Sequence, residues 1–272
     1  MKGNPEEVNK ILKNPTVQIN APIVSNELVN SQTHIIWLEA AEIAREARPG
    51  QFVMLKCAGG AFLRRPLSLH RVSADKSRVA FLFSVIGKGT AWLAGSKPGE
   101  QLDLIGPLGN GFSIPANLRE AVLIAGGLGV APLGFLADEL KKKGTKSKFL
   151  YGAASAGLLC PERFLPDCSD SIMATEDGSL GYKGYITECL SEHLKSSTSV
   201  YACGPTPMYR TLSEMSDLKE IPVQVTLEVR MACGLGVCYS CAIDTSSGLQ
   251  RVCKHGPVFD LHQVLWNWIV DI

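Results

Sequence analysis

The stretch AVLIAGGLGVAP, residues 121–132, decides the fold of this chain. Its first five residues are all apolar, as in strands that are buried on both faces. Gly126, Gly127 and Gly129 follow this run. Pro132 stands where the first turn of a helix tolerates proline. The pattern predicts a buried strand, a glycine turn and a helix start, which together can hold a diphosphate at the helix N-terminus. A tight strand–helix turn without a ligand is the alternative interpretation.

On the C-terminal side of this stretch, apolar runs of strand length alternate with segments of helical periodicity. The predicted strands are 148–153, 171–175, 199–202 and 223–227. The predicted helices are 132–143, 185–194 and 208–218. This alternation indicates a parallel α/β sheet, in which ligands bind at the carboxyl ends of the strands.

Small and acidic residues stand at two of those predicted strand ends. Glu176 and Asp177 follow one strand, and Cys203 and Gly204 follow another. An acidic pair suits the hydroxyls of a ribose and repels a 2′-phosphate, so it favours NAD over NADP. A solvated turn is the alternative interpretation of the pair, and a packing role is the alternative for Cys203.

The N-terminal part, residues 16–117, consists of short β runs separated by turn residues such as Pro49-Gly50 and Pro98-Gly99. This spacing predicts a small antiparallel barrel. The barrel carries RRPLS at residues 64–68 and GKGT at residues 87–90. An arginine can grip a diphosphate with two hydrogen bonds, and a glycine turn before a helix suits phosphate. Each motif taken singly is equally compatible with an ordinary surface.

Four of the nine cysteines are clustered near the C-terminus, as Cys233-x4-Cys238-x2-Cys241-x11-Cys253. The first three match the plant-type iron–sulfur spacing, and four thiolates are what a 2Fe–2S cluster requires. Glycines in the first loop let the backbone wrap closely and aim N–H groups at sulfur. A structural zinc site is one alternative, although zinc ribbons usually show two CxxC pairs and this block has one. Free buried thiols are the other alternative.

Composition places limits on the remaining function classes. The chain has 272 residues with 46% hydrophobic and 19% charged residues, which excludes a disordered protein. A net charge of +1 argues against a nucleic-acid partner. The polar start and the glycine-broken apolar stretch predict neither a secretory signal nor a membrane span, so we expect a cytoplasmic protein with reduced cysteines. We expect an N-terminal extension (1–15), a barrel (16–117), an α/β domain (118–228) and a small cysteine domain (229–272).

Together the motifs resemble a known family. RRPLS, GKGT, GPLGNGF, GGLGVAP, CGP and the terminal EVRMACGLGVCYSCAI…RVCKHGPVFD are similar to the ferredoxin-NADP-reductase-like flavoproteins. Within that group the resemblance is greatest to the electron-transfer subunits of NAD-dependent dihydroorotate dehydrogenases, and it covers roughly residues 16–265. It implies an FAD-binding barrel, an NAD-binding α/β domain and a 2Fe–2S domain held by the four clustered cysteines.

The resemblance also implies roles for individual residues. The residues implied to bind FAD are Arg65, Pro66, Leu67, Ser68, Leu82, Phe83, Ser84, Gly89 and Thr90. Those implied to bind NAD are Gly126, Gly127, Gly129, Asp177 and Gly204. Ser68 and Cys203 are the implied catalytic residues at the contact of flavin and nicotinamide. The chain departs from the plant reductases, which have tyrosine where Leu67 stands, and from many dihydroorotate-type relatives, which have Tyr-Arg where Phe83 and Ser84 stand.

The implied function is that of a redox chain. Electrons would run from the FMN of a dihydroorotate-oxidising partner subunit through 2Fe–2S and FAD to NAD+, in pyrimidine biosynthesis, within a heterotetramer. A related reductase subunit serving a hydrogenase, a ferredoxin or another dehydrogenase is the first alternative. A non-catalytic, zinc-stabilised nucleotide-binding or scaffold protein is the second.

Overall fold

The computed structural model describes residues 16–58, 62–195 and 198–268. The predicted N-terminal extension, residues 1–15, lies outside this part. The described residues form two seven-stranded sheets and one two-stranded hairpin. Within them, no helix combines the length and the hydropathy that a membrane crossing requires.

The first sheet is antiparallel throughout. Its strands are Val17–Leu28 (β1), Thr33–Glu39 (β2), Phe52–Leu55 (β3), Arg65–Ser68 (β4), Arg71–Val72 (β5), Arg78–Ser84 (β6) and Gln101–Leu108 (β7). Their order in the sheet is β4-β3-β7-β1-β2-β6-β5. Two short helices accompany it, Ala41–Glu46 (α1) and Lys88–Ala94 (α2). The predicted antiparallel flavin-type barrel is therefore confirmed as a fold.

The second sheet follows the glycine stretch, as its apolar pattern predicts. Its parallel strands are Glu120–Gly126 (β8), Lys146–Ala153 (β9), Asp170–Thr175 (β10), Tyr182–Lys183 (β11), Thr198–Cys203 (β12) and Val223–Thr226 (β13). Two helices pack beside them, Val130–Lys142 (α3) and Thr206–Glu214 (α4). Strands β8 and β12 are neighbours at the centre, so the ends of both strands meet at one sheet edge.

The segment predicted as a helix over 185–194 has a different structure. It forms two short 3-10 turns, Ile186–Cys189 and Ser191–His193. Ile186 and Leu190 are buried against the sheet, so their spacing satisfies the helical pattern without a continuous helix.

The C-terminal part leaves the second sheet and then returns to it. The hairpin strands Ala242–Thr245 (β14) and Gly248–Arg251 (β15) and the short helix Val252–His255 (α5) are followed by Val258–Asp260 (β16). Strand β16 pairs antiparallel with β13. The cysteine lobe, residues 228–256, is thus an excursion from the second sheet, although we expected a separate domain to begin at residue 229.

The aromatic tail packs on its own protein at Trp266, whose ring stacks on that of Tyr209 with centroids 5.0 Å apart. The Trp266 indole N–H also donates a hydrogen bond to the carbonyl of Leu261 at 2.9 Å. Trp266 is therefore part of the protein's own buried core.

One hydrophobic core joins the two sheets. Leu82 of β6 and Phe112 lie in the same buried cluster as Leu123 of β8 and Leu133 of α3. Fully buried apolar side chains from both sides of this boundary hold the barrel against the α/β part, so parts of both can contribute to one site.

Candidate functional site

The glycine turn meets the end of strand β12. Gly127 has a φ of +54°, a left-handed conformation that side chains disfavour. A Cβ on Gly129 would lie 1.9 Å from the Cys203 carbonyl oxygen. Because no side chain fits there, the backbone of the turn lies directly against the Cys203-Gly204 strand end.

A cavity of about 850 Å³ opens beside this contact. Its volume is within the range of small-molecule and cofactor sites. The predicted residues that line it are Ser84, Gly126, Gly127, Gly129, Cys203 and Gly204. The ends of β8, β9, β10 and β12 all contribute to its wall, which is the arrangement expected of a nucleotide site in a parallel sheet.

Cys203 is buried at the cavity wall, and its thiol is kept neutral. Burial, together with the nearby Glu228 carboxylate, raises the pKa of Cys203 far above its ordinary value. The adjacent Gly204 N–H donates a hydrogen bond to the Tyr209 hydroxyl at 2.9 Å. That hydroxyl donates in turn to the carbonyl of Thr226 at 2.6 Å. The strand end is therefore held rigidly, with an uncharged sulfur at its surface.

Glu228 is a cavity residue that the sequence analysis did not identify. It keeps a solvent-accessible face toward the cavity, while desolvation by the surrounding protein raises the pKa of its carboxyl. The available signal was its position, because Glu228 stands just beyond the last parallel strand, Val223–Thr226. A carboxyl of raised pKa in a cleft is a candidate for holding or moving a proton.

The two members of the acidic pair have different surroundings. Glu176 lines the cavity. The Asp177 carboxylate instead accepts hydrogen bonds from the Ser179 hydroxyl at 2.6 Å and the Ser179 N–H at 2.9 Å. These bonds lower the pKa of Asp177 and hold its carboxylate in the turn. Glu176, rather than the expected Asp177, is the acid that the structure presents to a ligand.

The two arginines of RRPLS also differ. Arg64 forms a bidentate ion pair with Asp103, with oxygen distances of 2.9 and 2.7 Å, so its guanidinium is engaged within the barrel. The Arg65 side chain lies over Gly89 at the start of α2, where a Cβ would come within 2.8 Å of Arg65 Nε. The barrel thus brings RRPLS and GKGT together, and a cationic fork lies beside a glycine turn, as diphosphate binding requires.

Other predicted barrel residues are divided between packing and the site. Thr90 accepts hydrogen bonds from the N–H groups of Ile86 and Gly87, at 3.0 and 3.2 Å, and so caps its own turn. Phe83 is buried in the barrel core and Leu82 in the core between the sheets. Of these neighbours, Ser84 is the residue whose side chain reaches the cavity.

The alternation of strand β4 separates its side chains into two sets. Pro66 lies directly opposite Met54, and Ser68 opposite Phe52. Residues directly opposite on antiparallel strands present their side chains on the same face. Leu67 lies on the other face, against the barrel core. Pro66 and Ser68 therefore share one half-buried surface.

The four clustered cysteines form two pairs. Cys241 and Cys253 are buried, with their sulfurs 3.2 Å apart. Cys233 and Cys238 lie nearer the surface, where hydrogen bonds from Ser240 and then from Cys233 lower the pKa of Cys238 to about 6. Burial and the neighbouring Cys241 raise the pKa of Cys253 to about 12. Cys238 therefore ionises readily, whereas the thiolate of Cys253 needs a metal to stabilise it.

This pairing fits a two-iron cluster. Two thiolates for each of two irons is the arrangement of a 2Fe–2S cluster. The Gly236 N–H donates to Cys253 Sγ at 3.1 Å, and the Leu235 N–H to Cys233 Sγ at 3.4 Å, as expected of a loop built around cluster sulfurs.

The cysteine lobe packs on the strand that pairs with RRPLS. A Cβ on Gly234 would come within 2.4 Å of Met54 Cγ, so the loop backbone rests directly on the Met54 side chain. Asn110, at the end of the barrel, donates hydrogen bonds to the carbonyls of Lys254 and His255 at 3.1 and 2.9 Å. The lobe is thus fixed against strand β3 and the segment after β7, and β3 pairs with the strand that carries Pro66 and Ser68.

Comparisons with known proteins agree with this architecture. The family model for the iron–sulfur cluster binding domain of dihydroorotate dehydrogenase B matches residues 228–265. The dihydroorotate dehydrogenase B (NAD(+)) electron transfer subunit of Desulforamulus reducens is 39% identical over 91% of this chain and 98% of its own length. The subunit of the same name from Geobacillus kaustophilus is 36% identical over 89% of this chain and 96% of its own.

Solved structures show the same fold. The structure of an NADH-dependent reduced ferredoxin-NADP oxidoreductase superposes with a TM-score of 0.83 at 28% identity, over 92% of this chain and 91% of that one. A ferredoxin NADP+ reductase from Neisseria gonorrhoeae with bound FAD and NADP has a TM-score of 0.61 at 19% identity, over 73% of this chain and 92% of that one. From its length, its cysteine lobe and its two-sheet fold, this chain belongs to the family of dihydroorotate dehydrogenase B (NAD(+)) electron transfer subunits.

Proposed function

We propose that this chain is the electron-transfer subunit of an NAD-dependent dihydroorotate dehydrogenase. Its task is to carry electrons from dihydroorotate, oxidised to orotate on an FMN-containing partner subunit, to NAD+. The observation that carries the proposal is the packing of the thiol-bearing loop on Met54, whose strand pairs with the Arg65–Ser68 strand. One molecule thereby joins a nucleotide cavity to a candidate iron–sulfur lobe.

Three groups of residues would hold the cofactors. Gly126, Gly127 and Gly129 would bind the NAD diphosphate, and Glu176 its ribose. Arg65 would grip the FAD diphosphate beside Gly89, with Pro66 and Ser68 against the flavin. Cys233, Cys238, Cys241 and Cys253 would ligate the 2Fe–2S cluster. When bound, FAD supplies the exchange between two-electron hydride chemistry and one-electron chemistry, and the cluster supplies the one-electron outlet.

The cavity wall would assist the nicotinamide without acting as a nucleophile. The neutral Cys203 thiol offers a compact, uncharged surface at the end of β12. The Glu228 carboxyl, with its raised pKa, can hold a proton at the cavity rim. Ser68 would donate or accept one hydrogen bond at the flavin edge. These residues orient the reactants and exclude water, which is what a hydride transfer asks of the protein.

The cysteine lobe also presents a surface that suits a protein partner. Leu235, Val237 and Tyr239 are 51%, 77% and 54% exposed in the loop that carries Cys233 and Cys238. Exposed apolar side chains around a redox centre are a usual feature of docking surfaces. We place the FMN-containing subunit here, within a heterotetramer of two copies of each chain. We place the assembly in the cytoplasm, where thiolates remain reduced.

Reconstitution tests this proposal. Co-purification with the FMN-containing dihydroorotate-oxidising subunit should give a complex with the mass of a heterotetramer. That complex should reduce NAD+ when dihydroorotate is added, measured at 340 nm, whereas neither subunit alone should do so. Absence of dihydroorotate-dependent NADH formation, with reduction of a ferredoxin or a hydrogenase instead, would identify a different reductase. A colourless protein that contains zinc and no flavin would refute the redox function altogether.

A further inference from the structure

A short segment between strands β4 and β5 connects the barrel to helix α3. His70 is fully buried in this segment. Its Nδ1 lies 2.8 Å from the carbonyl oxygen of Ala131, in the first turn of α3. Because a carbonyl only accepts, Nδ1 carries the proton. Among the described residues His70 Nε2 finds no hydrogen-bond partner, so the single bond to Ala131 orients the ring.

The helix is shaped to receive this ring. A Cβ on Gly134 would lie 2.7 Å from His70 Cε1 and 2.8 Å from Nδ1, so a side chain there would displace the imidazole. The absence of a side chain at this position lets the ring lie directly on the helix backbone. Glycine in a helix interior costs about 1 kcal/mol relative to alanine, and the close approach of His70 gives a reason for that cost.

The next residue makes a second connection to the same helix. The Arg71 guanidinium donates to both carboxylate oxygens of Asp138, at 2.8 and 3.0 Å. It also donates to the carbonyl of Leu165 at 2.8 Å. Ala131, Gly134 and Asp138 are spaced by three and four residues, so they share one face of α3. We call His70 and Arg71, with these three helix residues, the β4–α3 lock.

The lock joins the ends of the two candidate cofactor sites. Helix α3 begins directly after the Gly127–Gly129 turn, and His70 stands two residues beyond Ser68. We propose that His70 and Arg71 are positioning residues, which set the distance between the nucleotide turn and the flavin-facing strand. This inference rests on the proposed function, because it concerns the alignment of NADH with FAD.

Positioning differs from simple packing in what it predicts. Hydride transfer requires the reacting atoms to approach within about 3–3.5 Å, so a small shift of α3 against β4 slows the transfer. The groups that bind each cofactor remain in place after such a shift. Loss of the lock should therefore lower the rate of hydride transfer while leaving the affinities for NADH and FAD unchanged. A merely structural role should lower the melting temperature and leave the rate unchanged in the folded protein.

The experiment uses the full chain carrying FAD and the cluster. Stopped-flow reduction of the flavin at 450 nm, at saturating NADH, should be at least tenfold slower in His70→Leu, with the NADH dissociation constant within twofold of wild type. The long-wavelength charge-transfer absorbance of the nicotinamide–flavin complex should fall in parallel. His70→Asn should restore both, because its amide N–H occupies the position of Nδ1–H and can donate to Ala131.

Two ion pairs provide a matched control. Asp138→Asn weakens the Arg71 pair across the boundary, and Asp103→Asn weakens the Arg64 pair inside the barrel. The paired side chains have similar exposure, 21% and 28% for the first pair against 20% and 21% for the second. Asp138→Asn should slow hydride transfer severalfold, and Asp103→Asn should leave it unchanged. Equal effects of the two variants would overturn the proposal.

A double-mutant cycle tests the contact itself. Gly134→Ala should slow hydride transfer in wild type, because it displaces the ring, but should have no further effect in His70→Ala. Additive effects would show that the residues act separately and would overturn the lock. If the wild-type holoprotein is not reduced by NADH, the proposed function fails. If it is reduced and His70→Leu is reduced equally fast, only the lock fails.

Discussion

The nucleotide cavity and the cysteine lobe are built in opposite ways. The cavity is a junction of strand ends, in which Gly129 lies against the Cys203 carbonyl and hydrogen bonds through Tyr209 hold Gly204 in place. The lobe is a surface loop whose two cysteine pairs have different surroundings, one buried and one more exposed. The first site is therefore organised by the fold, whereas the second needs its metal to bring four thiolates together.

This contrast predicts that a substitution can disrupt either site while the other site stays intact. The largest effect is expected for Cys238→Ser, which deletes one ligand of the exposed pair. The 2Fe–2S absorbance and the electron paramagnetic resonance signal of the reduced cluster should disappear, and electron delivery to a partner should stop. FAD content and flavin reduction by NADH should be retained. Cys168→Ser, at a partly buried cysteine outside the lobe, is the control and should keep the cluster.

The converse change is Gly129→Ala. Because the added Cβ would lie 1.9 Å from the Cys203 carbonyl, the turn must move away from the end of β12. Overpacking of this kind costs about 1–3 kcal/mol, so NADH affinity should fall up to about a hundredfold. Calorimetric titration measures it. Gly157→Ala, where a Cβ meets no atom within 4 Å, should bind NADH normally, and an intact NADH affinity in Gly129→Ala would contradict a fold-organised cavity.

The pH dependence of folding stability provides a separate test, at the buried His70 between the barrel and helix α3. Burial, and then the neighbouring Arg71, lower the pKa of His70 from 6.5 to about 4. The unfolded chain therefore takes up a proton on this histidine below pH 6.5, while the folded chain does so only near pH 4. The contribution of His70 to the free energy of unfolding is therefore complete above pH 6.5 and declines as the pH falls toward 4. Below pH 4 the free energy of unfolding is lower by about 3 kcal/mol on account of this group.

Urea unfolding of wild type and His70→Asn between pH 7 and 4 measures this contribution as a difference. The carboxylates common to both proteins, Asp138 among them, cancel in that difference. The free energies of unfolding should converge as the pH falls, because only the wild type loses the histidine contribution. Parallel curves would mean that His70 is not buried as the neutral form.

The smallest effect is expected at the acidic pair. Glu176→Gln removes the carboxylate that lines the cavity, and the preference for NADH over NADPH should fall by about fivefold or less, as expected for an exposed charge. Asp177→Asn should leave that preference unchanged, since its carboxylate is hydrogen-bonded to Ser179. The ratio of NADH to NADPH dissociation constants decides between the two residues. If Asp177→Asn changed the NADH-to-NADPH preference more than Glu176→Gln did, Asp177 would be the ribose-binding acid, as the sequence predicted.

Local patterns were sufficient for the parts of the site that lie close together in sequence. The glycine turn follows an apolar run, and the cysteine spacing is confined to one short block, so both could be read directly. Contacts between segments that are distant in sequence could not be predicted from local patterns. Gly134 lies against His70 from another element, and Leu82 is drawn into the core between the sheets.

Glu228 directly follows the last predicted strand, 223–227, so the rule that ligands bind at the carboxyl ends of parallel strands applies to it. The cysteine block begins close to the same position and is the stronger signal there. The return of Val258–Asp260 to the second sheet could not be predicted, since three residues carry too little pattern to reveal pairing with β13.

The base of the cysteine lobe has a consequence for how such proteins arise. The Leu227 N–H donates to the carbonyl of Pro257 at 2.9 Å, so the chain leaves the sheet and re-enters it at neighbouring points. A segment whose ends meet can be gained or lost in one genetic event without changing the strand order of the sheet. If a short turn joined Leu227 to Pro257 in place of the lobe, a reductase with two cofactors would remain. Insertion of the lobe would add to that reductase a centre that passes on single electrons. In evolutionary terms, the lobe is an insertion that can be gained or lost as one unit.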